Sequence, residues 1–244
     1  MSIFDLFAPS PEKKIASLKK KLQEKYAQPE SRQMAMDKLF DMGTKDAILA
    51  LLSRFKASVE PSITDATEKE YLFDCLVSLG RDKVGEAAQE FFLSSDEAAN
   101  WSIRLLSELL SEEEVVALCI RALNKIGPEY TRDPQKKLVI IQTLTRRNGE
   151  GISEALVPFL EDPTDEVRIE TAFALSKHKK AEIAASPLIH ALIDSSDRNR
   201  VAANIADALI ELSATVPEGD RDAVKKALPQ GYVLGSDGKL VKAA

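Results

Sequence analysis

Residues 162–177 read DPTDEVRIETAFALSK, a turn followed by a helix whose apolar side chains face more than one way. Asp162 is expected as the N-cap, accepting an otherwise orphaned amide of the first turn, with Pro163 next, where no donor is needed. Asp165 and Glu166 then place negative charge at the positive end of the helix dipole. Val167, Ile169, Ala172, Phe173, Ala174 and Leu175 leave no single polar face, which predicts a helix held between neighbours on two sides.

The pattern repeats. Val201, Ala206, Ala208 and Leu209 stand 34 residues after Val167, Ala172, Ala174 and Leu175. The turn recurs as well, with LIDSSD at 192–197 mirroring LEDPTD at 160–165 and LSSD at 93–96 as a fainter version. Taking the leucine that closes each such helix gives Leu39, Leu79, Leu109, Leu144, Leu175 and Leu209, at gaps of 40, 30, 35, 31 and 34. Two helices per unit at that spacing cannot bury their own apolar faces, so the units are expected to stack as a solenoid.

The D-P-x-x-x-V-R-x-x-x-A-x-A-L run from Asp162 to Leu175 resembles the first helix of a HEAT or HEAT-like (phycobilisome-lyase-type) repeat. Arg32 lies as far before Leu39 as Arg168 lies before Leu175, and adds to the likeness. The resemblance is good over 134–212, fainter over 31–126, and reaches neither end. It implies an all-α protein, an α-α superhelix of about six helical pairs, whose role is to bind other proteins.

Composition agrees with an all-α chain. Of the 244 residues 44% are hydrophobic and only 6% aromatic, with few strand-forming runs. A net charge of −6 makes nucleic acid an unlikely partner. Cys75 and Cys119 lie in apolar helical patterns without CxxC spacing, and are read as reduced core thiols. No apolar run reaches the roughly 18 residues that a membrane span needs, and no signal-peptide pattern is seen, so a cytoplasmic, bacterial protein is expected.

Three regions are expected. Residues 1–30 hold an apolar segment, MSIFDLFAPS, and a basic capping helix from Glu12 to Tyr26 with Ile15, Leu18, Leu22 and Tyr26 on its apolar stripe. Residues 31–228 hold the helical pairs. Connectors are expected at 58–67 and at 127–134, the latter as the break in curvature, and a helix start at Ser94 with a capping box to Glu97. Residues 229–244 hold a small β-hairpin, in which Tyr232–Leu234 faces Leu240 and Val241 across Ser236-Asp237-Gly238.

Catalytic chemistry finds little footing. The two histidines, His178 and His190, lack the His-Glu pairs by which HEAT-type hydroxylases bind iron. His178 is read as solvated in a lysine-rich turn. No metal site, no cofactor and no enzyme activity are expected. Two alternatives stay open: a nucleic-acid or DNA-repair module, against which stand the acidic balance and a lone tryptophan, Trp101, placed where a core residue is expected, and a phycobilin-lyase-type prosthetic-group protein. The leading expectation is a non-catalytic scaffold or adaptor that binds a protein partner. Equivalent turns of a solenoid align along one edge, so Arg146, Arg147, Lys177, Lys179 and Lys180 are expected to form a basic ridge beside Glu112, Glu113 and Glu114. Phe4, Leu6 and Phe7 of the apolar segment either fold back on the first helices or dock in a partner groove or on a membrane surface.

Overall fold

A computed structural model describes residues 10–243. The chain is all-α, with helices packed in the α-α superhelical manner and one small hairpin at the C-terminal end. Phe4, Leu6 and Phe7 lie outside the described residues. The fold divides into two compact units that part between Ser111 and Glu112.

The first unit holds α1 (Pro11–Gln23), α2 (Pro29–Met42), α3 (Lys45–Leu52), α4 (Ser62–Leu79), α5 (Arg81–Ser94) and α6 (Ala99–Leu109). Local chemistry sets their ends. Ser10 Oγ accepts the Lys13 amide and Pro11 opens α1, while Thr44 Oγ1 accepts the Ala47 amide ahead of α3. Gly43 ends α2 in the left-handed region at φ 59°, handing its N–H to the Leu39 carbonyl. Helix α1 packs on α2 and α3, α3 on α5, and α5 on α4 and α6.

The second unit holds α7 (Glu112–Ile126), α8 (Gln135–Thr145), α9 (Ile152–Leu156) with a 3-10 turn at Val157–Glu161, α10 (Asp165–His178), α11 (Ala181–Asp194), α12 (Asn199–Glu211) and α13 (Arg221–Ala227). Helix α10 is held between α8 and α12 and also rests on the 3-10 turn. That two-sided burial is why its small residues Ala172 and Ala174 are fully covered. Leu144, Leu175 and Leu209 are at most 1% exposed, each contributing about 1.5–3 kcal/mol of burial. Strands β1 (Tyr232–Leu234) and β2 (Leu240–Lys242) pair antiparallel, Tyr232 opposite Lys242, around the expected turn. They lie against α13 and α12.

The 34-residue period is written in ion pairs. Arg104 meets Glu70 at 2.8 Å in the first unit, and Arg200 meets Glu166 at 2.6 Å in the second, each 34 residues apart. Lys177 and Glu211, also 34 apart, approach to 3.7 Å. The side chains are 42–62% exposed, and exposed pairs of this kind stabilise little.

Several sequence expectations are corrected. Asp162 does not cap α10, because its carboxylate is drawn into a buried ion pair with Lys137 at 2.6 Å and an Asx turn to the Thr164 amide. Helix α6 starts at Ala99; Ser95 closes a turn by accepting the Glu97 amide, so no capping box forms at Ser94. Helix α4 begins at Ser62, directly after Pro61, because Asp65, Glu68 and Lys69 are pulled into a buried network. Leu76, one turn before Leu79, is the fully buried closing leucine of that helix. Tyr26 lies beyond the end of α1 and is 79% exposed, while Phe173 is 48% exposed on the outside of α10.

Candidate functional site

Helices α8 and α10 end side by side, which places the turn after each on one edge of the second unit. Arg146 and Lys179 are exposed there, and Lys180 is half-buried at the start of α11. Lys179 ends α10 in the left-handed region at φ 54°. The other two expected members of the ridge are engaged elsewhere. Arg147 folds down onto α7, its Nε 2.9 Å from Glu112, with 14% of the side chain exposed. Lys177 turns onto the α10–α12 face, over the Phe173 ring at 5.0 Å and towards Glu211. The edge therefore presents a smaller basic patch than five cations, with its neighbouring acid partly neutralised.

His178 sits between these turns and is not solvated as expected. It is half-buried and its Nε2 is enclosed without a partner. Burial lowers its pKa below the ordinary histidine value, against the Leu144 carbonyl, which favours the charged form, and with Lys180, which opposes it. A depressed folded value means the unfolded chain takes up the proton first. The second unit is therefore most stable above about pH 6.5 and loses this contribution as the pH falls below it. Urea transitions followed by amide exchange in α8 and α10 are expected to show that loss between pH 7.5 and 5.5, and to show less of it in His178→Asn. An unchanged pH dependence in the variant would refute it.

The face formed by α10 and α12 is the more developed surface. Phe173 stands out from a helix of small residues and borders a shallow depression of about 210 Å³ with Lys177, Asn204, Asp207 and Glu211. Asp207 is fixed from the hairpin, accepting from Tyr232 Oη at 2.9 Å and meeting Lys242 Nζ at 3.0 Å. These contacts raise the pKa of both partners: for Tyr232 burial leads and Asp207 adds to it, and for Lys242 the bond to Asp207 leads. Sequence reading placed Phe173 in the core because its apolar neighbours share the helix. The signal available was its size among alanines, one turn from a lysine.

The remaining candidates are buried or half-buried. Trp101 stacks on Phe55 at 5.0 Å and 12°, with the Arg104 guanidinium 5.2 Å from its ring. Cys119 is buried and its thiol is pushed up to about 12 by desolvation, which leaves it unreactive; Cys75 is half-buried. Among the described residues no group of three His, Cys, Asp or Glu could hold a metal ion, and no helix is long and apolar enough to cross a membrane. No protein-family model, curated protein or solved structure matches this chain.

Proposed function

We propose that this chain is a HEAT-like, non-catalytic scaffold or adaptor of the bacterial cytoplasm, and that it holds a protein partner on the α10–α12 face. The half-exposed Phe173 carries the reading. A large aromatic ring rimmed by Lys177, Asp207 and Glu211 has the make-up of an interface hot spot, an apolar anchor inside a polar rim. The face is also preorganised, since the Arg200–Glu166 pair and the Asp207 contacts fix α12 against its neighbours before any partner arrives. Arg146 and Lys179 at the adjoining edge would steer an acidic portion of that partner.

Affinity capture from native lysate, with the wild type beside Phe173→Ala, tests this. The variant is expected to lose about tenfold or more in affinity for the enriched protein, while its unfolding free energy moves by only about 1 kcal/mol. A partner held equally well by the variant would move the contact off this face. Recovery of nucleic acid alone would remove the scaffold reading. A second variant lacking residues 1–10 reports whether Phe4, Leu6 and Phe7 take part.

A further inference from the structure

Four buried cations share one register among the described residues, seven residues before the closing leucine: Arg32 before Leu39, Lys69 before Leu76, Lys137 before Leu144 and Arg168 before Leu175. Three are closed by an internal carboxylate, Lys69 by Asp65 at 2.8 Å. Arg32 grips Glu68 with contacts of 2.7–3.0 Å, and Lys137 meets Asp162 at 2.6 Å. Arg168 is the exception. Only 7% of it is exposed, yet among the described residues no carboxylate lies within ion-pair distance of it. Its Nη2 donates to Ser195 Oγ at 2.6 Å and to the Ala191 carbonyl at 3.5 Å, and its Nε is enclosed with no partner at all. A guanidinium carries five donors and a permanent charge; burial and Arg198 disfavour that charge here, Asp165, Asp194 and Asp197 favour it only from beyond ion-pair distance, and no bonded carboxylate compensates it.

This cation does not face solid core. It lines a cleft of about 410 Å³ between the Val157–Glu161 turn and α11. Val157, Pro158, Leu160 and Pro187 make the walls apolar, and His190, Glu161 and Asp194 stand around it. A volume of this order suits a small group, not a broad interface. By the turn alignment Asp194 corresponds to Asp162, but it is exposed and does not reach Arg168 as Asp162 reaches Lys137.

The geometry points to a binding site for the C-terminal carboxylate of a partner polypeptide with an apolar last residue, seated on Arg168 in this cleft. An Arg fork matches a carboxylate in two-point geometry, and the enclosed Nε supplies a donor that no internal group uses. The surrounding acids narrow the choice of occupant. Glu161 and Asp194 repel a segment with several carboxylates, but can accept amide N–H donors from the last peptide bonds. A fatty acid has an apolar chain and a carboxylate but no such donors, so a peptide end is the better complement. The site rests on the protein-binding reading above, though not on the Phe173 face.

Binding is read at the Arg168 Nε–H resonance of the full chain labelled with ¹⁵N-arginine. The probes are N-acetyl-leucine, which mimics a terminal residue, its amide N-acetyl-leucinamide, and octanoate. N-acetyl-leucine is expected to shift the resonance saturably, the amide to leave it unmoved, and octanoate to bind about tenfold more weakly for want of amide donors. His190 and Asp194 are exposed, so changing them leaves the fold intact. His190→Glu puts a like charge beside the cleft and is expected to weaken binding about fivefold, while Asp194→Asn removes one and is expected to tighten it. No saturable shift, an equal shift with the amide, or octanoate binding as tightly as N-acetyl-leucine would each overturn the assignment. So would binding seen only in Asp194→Asn, which would make Asp194 the internal counter-ion of Arg168. A chain that captures its partner through Phe173 but gives no Arg168 response keeps the scaffold reading and loses this site.

Discussion

Glu68→Gln is expected to destabilise the N-terminal unit by about 3–5 kcal/mol, because it strips the shared counter-charge from two fully buried arginines. Arg32 and Arg54 are both 0% exposed. Arg32 donates to both oxygens of Glu68 through Nε and to Oε1 again through Nη2, while Arg54 donates to Oε2 at 2.9 Å through its own Nη2. Asp65 completes the network from the next turn of α4, accepting from Arg54 and Lys69 at 2.8 Å each. Neutralising Glu68 leaves three cations against one carboxylate, with both arginines fully covered. Trp101, the one tryptophan of the chain, lies in this unit and reports its unfolding separately. Its urea midpoint should fall by about 2–3 M for a slope of roughly 1.5 kcal/mol/M. A fall of less than about 1 kcal/mol would mean that the arginines are reached by water and that the network is not buried in solution.

The same network gives the unit an acid limit. Burial pushes the Asp65 carboxyl up, but bonds from Lys69 and Arg54 and from the Val59 amide outweigh it, so its pKa is depressed overall. A depressed carboxylate contributes stability that is present above about pH 4 and is lost as the pH falls through the folded value. The Trp101 transition is expected to weaken on acidification, and Asp65→Asn should weaken less steeply from a lower start.

Which features were legible in the sequence follows from what kind of contact each one is. The repeat at Val167–Leu175 and Val201–Leu209 could be read because small apolar residues at fixed spacing have one use, close helix packing, and those positions are buried. Helix α7 and the hairpin could be read because their signals are local. Buried charge could not be read this way. Asp162 before a helix looks like a cap, and only the fold brings Lys137 to it from 25 residues away. Arg32 and Glu68 are 36 residues apart, and nothing in either neighbourhood announces the pairing. Phe173 and His178 were misplaced for a related reason: periodicity tells which helix carries a side chain, whereas burial depends on how far the next repeat extends over it. The basic ridge was legible as composition, but Arg147 and Lys177 are drawn off it by Glu112 and by the Phe173 face.

The second large effect is expected at Lys137 and Asp162, where both side chains are 1% exposed and 2.6 Å apart. Asp162→Ala leaves an ammonium buried with only the Glu129 carbonyl as acceptor, and removes the Asx bond to the Thr164 amide. The cost should be about 3–5 kcal/mol, seen as accelerated amide exchange throughout α8 and α10. The pair itself contributes far less than that loss implies, since two charges taken from water return little net stability. Lys137→Met combined with Asp162→Asn, measured beside each of these two single variants, tests the distinction. Methionine fills the space of the lysine stem beside Phe159, and asparagine keeps an acceptor for Thr164. The double variant is therefore expected to lie within about 1–2 kcal/mol of the wild type, well short of the sum of the single losses. If the two single losses simply add, the residues are independent and the ion pair is not the organising contact between α8 and the turn before α10. Strong coupling would mean that at this register the carboxylate, not the cation alone, makes burial of the charge tolerable, the partner that Arg32, Lys69 and Lys137 have and that Arg168 lacks within ion-pair distance.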